Sequence, residues 1–446
     1  MVLGNKTSKG ERIMEPRPRF YVPACLGSFQ GFSVRDVKEF RVDKRVEVHL
    51  EQLHENHRAC WKCDGQLGSY HDNYKIRAKH LKMMGWQVEI VFFREKRFCH
   101  NCKKTRSQKI DWLCPTNPHV TMDLAWWLSR LTEVTTVLAT SKLESLDKKS
   151  CYKIDKYILR RLLQGYTIPK IRSISVDEVY ARGPRQLKEG ENRDDLFLTI
   201  IVDLKTHKVI WVSQSRRKQA LDEFFQILGE EACRDIEVVA TDQHEDYAAS
   251  IREYCPKATQ VWDRFHLIQN FNEALNTDRH VELERLDPEG EMEDLMNNKY
   301  RHKFLTKKTN RSSKDQRHVD EVFRLNTKMA TMEVIKEHLH KMFETQDVIE
   351  AKEMMNEIYE WSYQAKCWNI NKWVWSVMED QRLWNYFESR VTTGVSEGIN
   401  RAIKGLKWQA YNYKDMEYFA LKILQKVGYL NSFFHNSQYS IIWSSH

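Results

Sequence analysis

The runs Ile171-Arg-Ser-Ile-Ser-Val-Asp177 and Ile236-Glu-Val-Val-Ala-Thr-Asp242 each place a β-branched stretch before an aspartate. Such stretches predict strands, the first reaching Val179. Between them lie two further strand-like segments, Leu196–Asp203 and Lys208–Val212. The link Leu204-Lys-Thr-His207 is short enough to make these two an antiparallel hairpin. A helix is expected over residues 218–232, with Leu221, Phe224, Phe225 and Leu228 on its buried face. After Asp242 a helix over residues 247–254 leads to a last short strand, Thr259-Gln-Val-Trp262, which stops at Asp263.

This βββαβαβ order, three antiparallel strands and then parallel crossovers, predicts an RNase H-like core. In that arrangement the first and fourth strands are neighbours at the centre of the sheet, so Asp177 and Asp242, 65 positions apart in sequence, are expected to meet at their ends. Two carboxylates so placed repel, raise each other's pKa, and are best stabilised by divalent cations. A pair of such cations serves in-line attack on a phosphodiester. A single strand-end acid would more simply be a helix cap or a solvated loop residue.

A third acid would complete a cation site. Beyond Asp263 the chain reads as helical for over a hundred residues, with a charged stretch at 287–316 and helical segments near 318–343 and 348–361. Then Ser396-Glu-Gly-Ile-Asn-Arg-Ala-Ile-Lys404 opens a new helix. Ser396 is expected to cap it, with Glu397 in the first turn, where a carboxylate is favoured. Glu397, Asn400, Arg401, Lys404 and Lys407 would share one face, with Ile399, Ala402, Ile403 and Leu406 on the other.

The chain has 446 residues, 41% hydrophobic and 30% charged with 11% aromatics, enough for several domains and against wholesale disorder. Residues 1–119 hold 23 Lys and Arg against 13 Asp and Glu, so the net charge of +9 arises there. A localised positive field is the footprint of a nucleic-acid-binding module. In the same region Cys60-Trp-Lys-Cys63 and Cys99-His-Asn-Cys102 offer four thiolates with zinc-ribbon spacing, and the strand-like Val88–Phe93 leads into the second pair. His100 could compete as a ligand, but Cys102 is better spaced. Lys96, Arg97, Lys103, Lys104, Arg106 and Lys109 surround the cysteines with positive charge suited to phosphates. After Pro118 the period turns helical, with a break at Asp147-Lys-Lys-Ser150. The following helix carries Lys153, Lys156, Arg160 and Arg161 outside its apolar stripe, which suits the recognition helix of a helix-turn-helix and equally any amphipathic surface helix. No apolar run is long enough to span a membrane, and the N-terminus lacks the apolar core of a secretory signal.

Together, Cys60-x2-Cys63…Cys99-x2-Cys102, Ser-Val-Asp177-Glu178, Ala-Thr-Asp242, Trp-Asp263-Arg-Phe-His266 and Ser-Glu397-Gly-Ile-Asn400-Arg-Ala-Ile-Lys404 resemble the DDE transposases of the ISL-three group of bacterial insertion sequences, over residues 50–430. The resemblance implies Asp177, Asp242 and Glu397 as catalytic, metal-binding acids, with two Mg²⁺ per active site and Mn²⁺ able to substitute. It also implies that Asp263-x-x-His266 is the box found where an all-helical insertion precedes the final Glu. Asp263, His266 and Asn400 are assigned supporting roles; for Asp263 and His266 a buried hydrogen bond at a strand end is the alternative. The expected architecture is multi-domain α/β. It comprises an N-terminal extension (1–50), a structural zinc ribbon (51–115) and a helix-turn-helix DNA-binding region (116–168). An RNase H-like catalytic core (169–266 and 391–430), an all-α insertion (267–390) and a C-terminal tail (431–446) follow. The turn before the basic helix departs from the family pattern, since it lacks a glycine.

The resemblance further implies a cytoplasmic, nucleoid-associated enzyme that acts on double-stranded DNA, both element ends and target. It would work as a homodimer or higher oligomer in a synaptic complex. The ribbon, the basic helix and Arg401, Lys404 and Lys407 would bind DNA. A stand-alone RNase H-like nuclease, or a domesticated regulator whose acids no longer work, are the rival readings.

Overall fold

A computed structural model of the chain describes residues 29–53, 58–187, 189–286, 300–389, 391 and 394–430. The charged stretch beginning at Asp287 therefore lies partly outside the described residues, as do the C-terminal tail and most of the N-terminal extension. The chain divides into two units, Met1–Gln164 and Gly165–His446.

The first unit is built on a seven-stranded sheet: β1 (Phe32–Phe40), β2 (Arg45–Gln52), β3 (Leu67–Lys79), β4 (Gln87–Cys99), β5 (Lys104–Ser107), β6 (Leu113–Cys114) and β7 (Asn117–Thr121). The sheet starts at Phe32, upstream of the ribbon boundary read from the sequence, because β2 pairs in parallel with β4. Ile76, Val88, Ile90 and Phe92 alternate inward along β3 and β4 and pack against Trp112, Phe29 and Phe32. At the far end of these strands the knuckles meet. Sγ separations are 3.6 Å for Cys63–Cys99, 3.4 Å for Cys63–Cys102 and 4.0 Å for Cys60–Cys102, and all four sulfurs lie within 4.8 Å of one another. Four sulfurs at ~2.3 Å from a tetrahedral zinc would stand ~3.8 Å apart, so the donor set fits that ion. A Cβ at Gly65 would come within 2.4 Å of the Asn101 amide and 3.3 Å of Cys63 Sγ, so a side chain there would require Asn101 to move. His100 is exposed, packs edge-on to Phe98 and stays outside the sulfur cluster.

Three helices complete this unit: α1 (Met122–Val134), α2 (Val137–Leu143) and α3 (Lys148–Gln164). Thr121 and Thr136 cap the first two through their hydroxyls. Between α2 and α3, Ser145 takes the left-handed conformation, φ 50°, that glycine normally supplies in such a turn. The missing glycine therefore does not prevent a tight turn. The inward face of α3 carries Cys151, Ile154, Ile158 and Leu162, and the buried Asp155 accepts a 2.7 Å hydrogen bond from Ser129.

The second unit contains a five-stranded sheet in the order β10-β9-β8-β11-β12, formed by β8 (Ser173–Tyr180), β9 (Phe197–Asp203), β10 (Lys208–Gln214), β11 (Val238–Thr241) and β12 (Thr259–Trp262). The first three strands are antiparallel and the last two join in parallel, as the sequence predicts. Strand β8 continues three residues beyond Asp177, because Glu178, Val179 and Tyr180 all find partners on β9. The crossover helix expected over 218–232 is two helices, α4 (Lys218–Leu228) and α5 (Glu230–Arg234), split by Gly229 at φ 86°. A further helix, α6 (Glu245–Tyr254), joins β11 to β12.

The insertion is helical throughout its described residues: α7 (Arg264–Leu286), α8 (Arg301–Leu305), α9 (Ser313–Leu325), α10 (Thr327–Met342), α11 (Val348–Gln364), α12 (Trp368–Met378) and α13 (Gln381–Ser389). The single helix read near 318–343 is broken at Asn326, whose side chain caps α10. These helices share a core of Leu, Met and aromatic residues around Phe271, Met332, Met355 and Trp373. No side chain of its own caps the start of α12. Instead the buried Asp278 of α7 accepts from Asn369 N (3.1 Å), Asn369 Nδ2 (2.8 Å) and Ile370 N (2.9 Å). Helices α14 (Gly394–Gln409) and α15 (Met416–Val427) close the fold. Among the described residues, no helix is long and apolar enough to cross a membrane.

Two outcomes are expected. The purified protein carries about one zinc per chain, and a Cys60→Ser/Cys99→Ser double variant carries none and melts early in its N-terminal unit; full zinc content in that variant, by elemental analysis, overturns the assignment. Asp278→Ala leaves the buried N–H groups of α12 unpaired and lowers stability by roughly 2–3 kcal/mol in denaturant titration.

Candidate active site

Parallel pairing of β8 with β11 places Val239 beside Ile174 and Ala240 beside Ser175, so the same register puts Asp242, just past the end of β11, level with Asp177 within β8. Asp177 is buried and its oxygens are fixed from three directions. Glu178 N donates to Oδ1 at 2.6 Å, Asn400 Nδ2 donates to Oδ2 at 2.6 Å, and His266 Nε2 stands 3.4 Å from Oδ1. Asp242 accepts from His244 N at 3.0 Å. Burial raises the Asp242 pKa above the usual carboxylate range, and the neighbouring charge of Asp177 adds to this. Burial opposes a charge on His266, but the hydrogen bond to Asp177 and the negative charges of Asp177, Asp263 and Asp242 outweigh it and lift the imidazole pKa to about 9. His266 is therefore an imidazolium at neutral pH, offsetting part of the negative charge around it.

The Asp263-x-x-His266 box is the start of α7. Asp263 is buried and accepts from Phe265 N at 2.7 Å, which fixes the first turn of the helix at the end of β12. His266, one turn on, reaches back to Asp177. Asp263 thus has Phe265 N as a partner and His266 has Asp177, and the Asp263 charge also favours the protonated imidazole.

Helix α14 lies along β8, tied by Ser396 Oγ to Ser175 Oγ at 3.0 Å, Asn400 to Asp177, and Lys407 Nζ to the Tyr180 carbonyl at 3.0 Å. Ser396 is thus not the cap expected from the sequence: the helix begins at Gly394, and the buried serine hydroxyl is used on the sheet. Ile399 and Ile403 are buried as expected. Glu397 does lie in the first turn, but its side chain is 46% exposed and pairs with Arg401 at 2.8 Å. Among the described residues, the four cysteines are the one group whose donors close to metal-ligand spacing; Asp177, Asp242 and Glu397 do not. The structure thus brings together Asp177, Asp242, His266 and Asn400, with Glu397 on the adjoining helix face.

Sequence reasoning gave no role to the residues on the other face of β8. Alternation turns Glu178 away from its neighbour. It accepts from the buried Tyr247 hydroxyl at 3.1 Å and lies 3.5 Å from Arg216. Burial and the charge of Asp242 raise its pKa, and Arg216 opposes the rise. An acid immediately following Asp177 was the signal for it; nothing in the sequence linked it to Tyr247.

The basic residues are divided. Lys103, Lys104, Lys153 and Arg160 are exposed, while Lys96, Arg106, Lys156 and Arg161 are half-buried. Arg97 is held by Glu95 and the Gly68 carbonyl, and Lys109 by Asp64. Arg401 and Lys404 are exposed.

A transposase family model matches residues 174–423, from the start of β8 through α14 and most of α15. The chain is 25% identical over 408 residues to the transposase for insertion sequence element IS1001 of Bordetella parapertussis, covering 89% of this chain and 96% of that one. A shorter segment of 109 residues, 24% of this chain and 22% of the relative, is 32% identical to the transposase for insertion sequence element IS1557 of Mycobacterium tuberculosis. The family match spans both central strands, the start of the insertion and the helix that follows it, the first relative aligns over most of the chain, and the chain belongs to the ISL-three group of DDE transposases.

Proposed function

We propose that this protein binds the terminal inverted repeats of its own insertion sequence and there cleaves and joins DNA strands, with Asp177, Asp242 and Glu397 as the metal-binding acids. The observation that carries this reading is the meeting of Asp177, Asp242 and His266 at the end of the two central strands, with the Glu397 helix tied to Asp177 through Asn400. A buried carboxylate, Asp177, and a half-buried one with a raised pKa, Asp242, form a donor set suited to hard cations. When bound there, Mg²⁺ would supply activation of the attacking hydroxyl and stabilisation of the leaving oxygen.

The chain's own residues prepare that site. Asn400 and the Glu178 amide hold the Asp177 carboxylate in one orientation. His266 supplies positive charge that lets Asp177 and Asp242 share a poorly solvated pocket. Glu397 is engaged by Arg401, an exposed pair of small intrinsic strength, so a DNA phosphate drawn to Arg401 would release the carboxylate. The N-terminal unit, with its excess of positive charge, would grip the element ends mostly through phosphates, using Lys103, Lys104, Lys153 and Arg160. No covalent enzyme intermediate is needed.

Asp177→Asn, Asp242→Asn and Glu397→Gln are each expected to lower Mg²⁺-dependent cleavage and strand transfer on DNA containing the element's ends by at least about a thousandfold, while filter binding to the same DNA is unchanged. Asp203→Asn, whose parent caps the β9–β10 turn through Lys205 N and Thr206 Oγ1, should retain activity. If Glu397→Gln cleaves normally while another acid of the insertion is essential, the third ligand is wrong. A simple nuclease would cleave without transferring strands. Replacing Lys153 and Arg160 by Gln should weaken binding across sequences and reduce the salt slope by roughly one per cation removed.

A further inference from the structure

Helix α14 ends in a tip that the acid site does not use. At its C-terminus Trp408 is 81% exposed and Tyr411 92% exposed, among the most exposed aromatic side chains described. Tyr411 and Asn412 both have positive φ, 53° and 75°, the left-handed conformation that commonly ends a helix and that asparagine adopts readily. The turn is closed by Tyr411 N to the Trp408 carbonyl (3.1 Å) and Asn412 N to the Lys407 carbonyl (2.9 Å). Neither ring belongs to a hydrophobic cluster of the core. Two large aromatic rings are thus held out in water at the capped end of the helix.

Their position relative to the acid is fixed by helix geometry. At 100° per residue, Glu397, Arg401, Lys404 and Trp408 lie within a narrow stripe on one face. Trp408 is eleven residues beyond Glu397, about 16 Å along the axis. Arg401 and Lys404, both exposed, lie between. The stripe therefore reads acid, cation, cation, aromatic. A strand leaving a phosphate near Glu397 would pass two cations before its bases reached the rings. In stacked single strands that span is about five nucleotides. Cations that lead along a strand's path to exposed aromatic rings are the composition of a surface that stacks unpaired bases.

We infer that Trp408 and Tyr411 form a stacking platform for unpaired nucleotides of the DNA end opened beside the acid site, with Arg401 and Lys404 tracking the phosphates that lead to it. This rests on the reading of that site as a DNA-cleaving centre. A duplex keeps its bases inside and gains little from the rings; a frayed or forked end gains stacking on each.

The test uses the full zinc-loaded chain without added Mg²⁺ and with no chelator, so that binding is separated from cleavage and the zinc ribbon is kept intact. The probes are a blunt duplex and the same duplex with a forked arm of unpaired thymidines, one replaced by 2-aminopurine. Wild type should bind the fork more tightly than the duplex and quench the 2-aminopurine. Trp408→Ala/Tyr411→Ala should weaken fork binding by roughly 10- to 100-fold and abolish the quench, with duplex affinity unchanged. Trp408→Phe/Tyr411→Phe, which keeps the rings, should restore most of both. Equal binding of fork and duplex by wild type, or wild-type fork affinity in the alanine variant, overturns the proposal. So does loss of a dimer by the alanine variant in sedimentation with fork affinity intact, which would make the tip a contact between copies of the chain. Absence of Mg²⁺-dependent cleavage by a wild type that does bind the fork would instead count against the catalytic reading.

Discussion

Two carboxylates brought together at the end of two buried strands are the constraint on which the catalytic unit is organised. Like charges in a medium poorer than water repel strongly, and each is desolvated as well. The compensation comes from distant parts of the chain: an imidazolium 89 positions after Asp177 and an amide 223 positions after it. His266 opens the helical insertion and Asn400 lies just beyond its end. The insertion is therefore bracketed by the two residues that steady the first acid.

The same logic governs the sheet's edges. An uncovered edge strand invites pairing with another chain. Edge strand β12 is covered by α13, where Asn385 Nδ2 donates to the Gln260 carbonyl at 2.8 Å and Arg382 lies over the Trp262 ring. The opposite edge, β10, meets the end of α15, where Gly428 bridges to Val209. A Cβ at Gly428 would come within 2.6 Å of the Val209 carbonyl oxygen, so only glycine allows that approach. The insertion thus enters at Asp263, at the end of β12, and leaves through α13, which packs on the same strand.

The N-terminal unit solves a different problem. The knuckle end of its sheet has few apolar residues, only Leu67 joining the cysteines there. Four cysteine sulfurs at a spacing that fits zinc stand where a larger core would otherwise be needed. The Arg97–Glu95 and Lys109–Asp64 pairs show that some of this charge is already committed within the unit, so the cations open to phosphate are fewer than composition suggests.

The strand order, the aspartate positions, the cysteine quartet and the burial of Ile399 and Ile403 were legible in the sequence, because each depends on local period or on spacing that a turn enforces. Glu397 in the first turn of its helix was legible for the same reason. Ser396 was misread as a cap, since its preference for that position is local but its hydroxyl is taken by Ser175, a partner 221 positions away. The split of the 218–232 helix at Gly229 was visible as a glycine but not as a break, because glycine is also tolerated within helices. The Glu178–Tyr247–Arg216 group and the trans cap from Asp278 are decided by the tertiary structure alone: each depends on which side chains the packed elements bring within about 3 Å, and hydrogen bonds and ion pairs act only at that range.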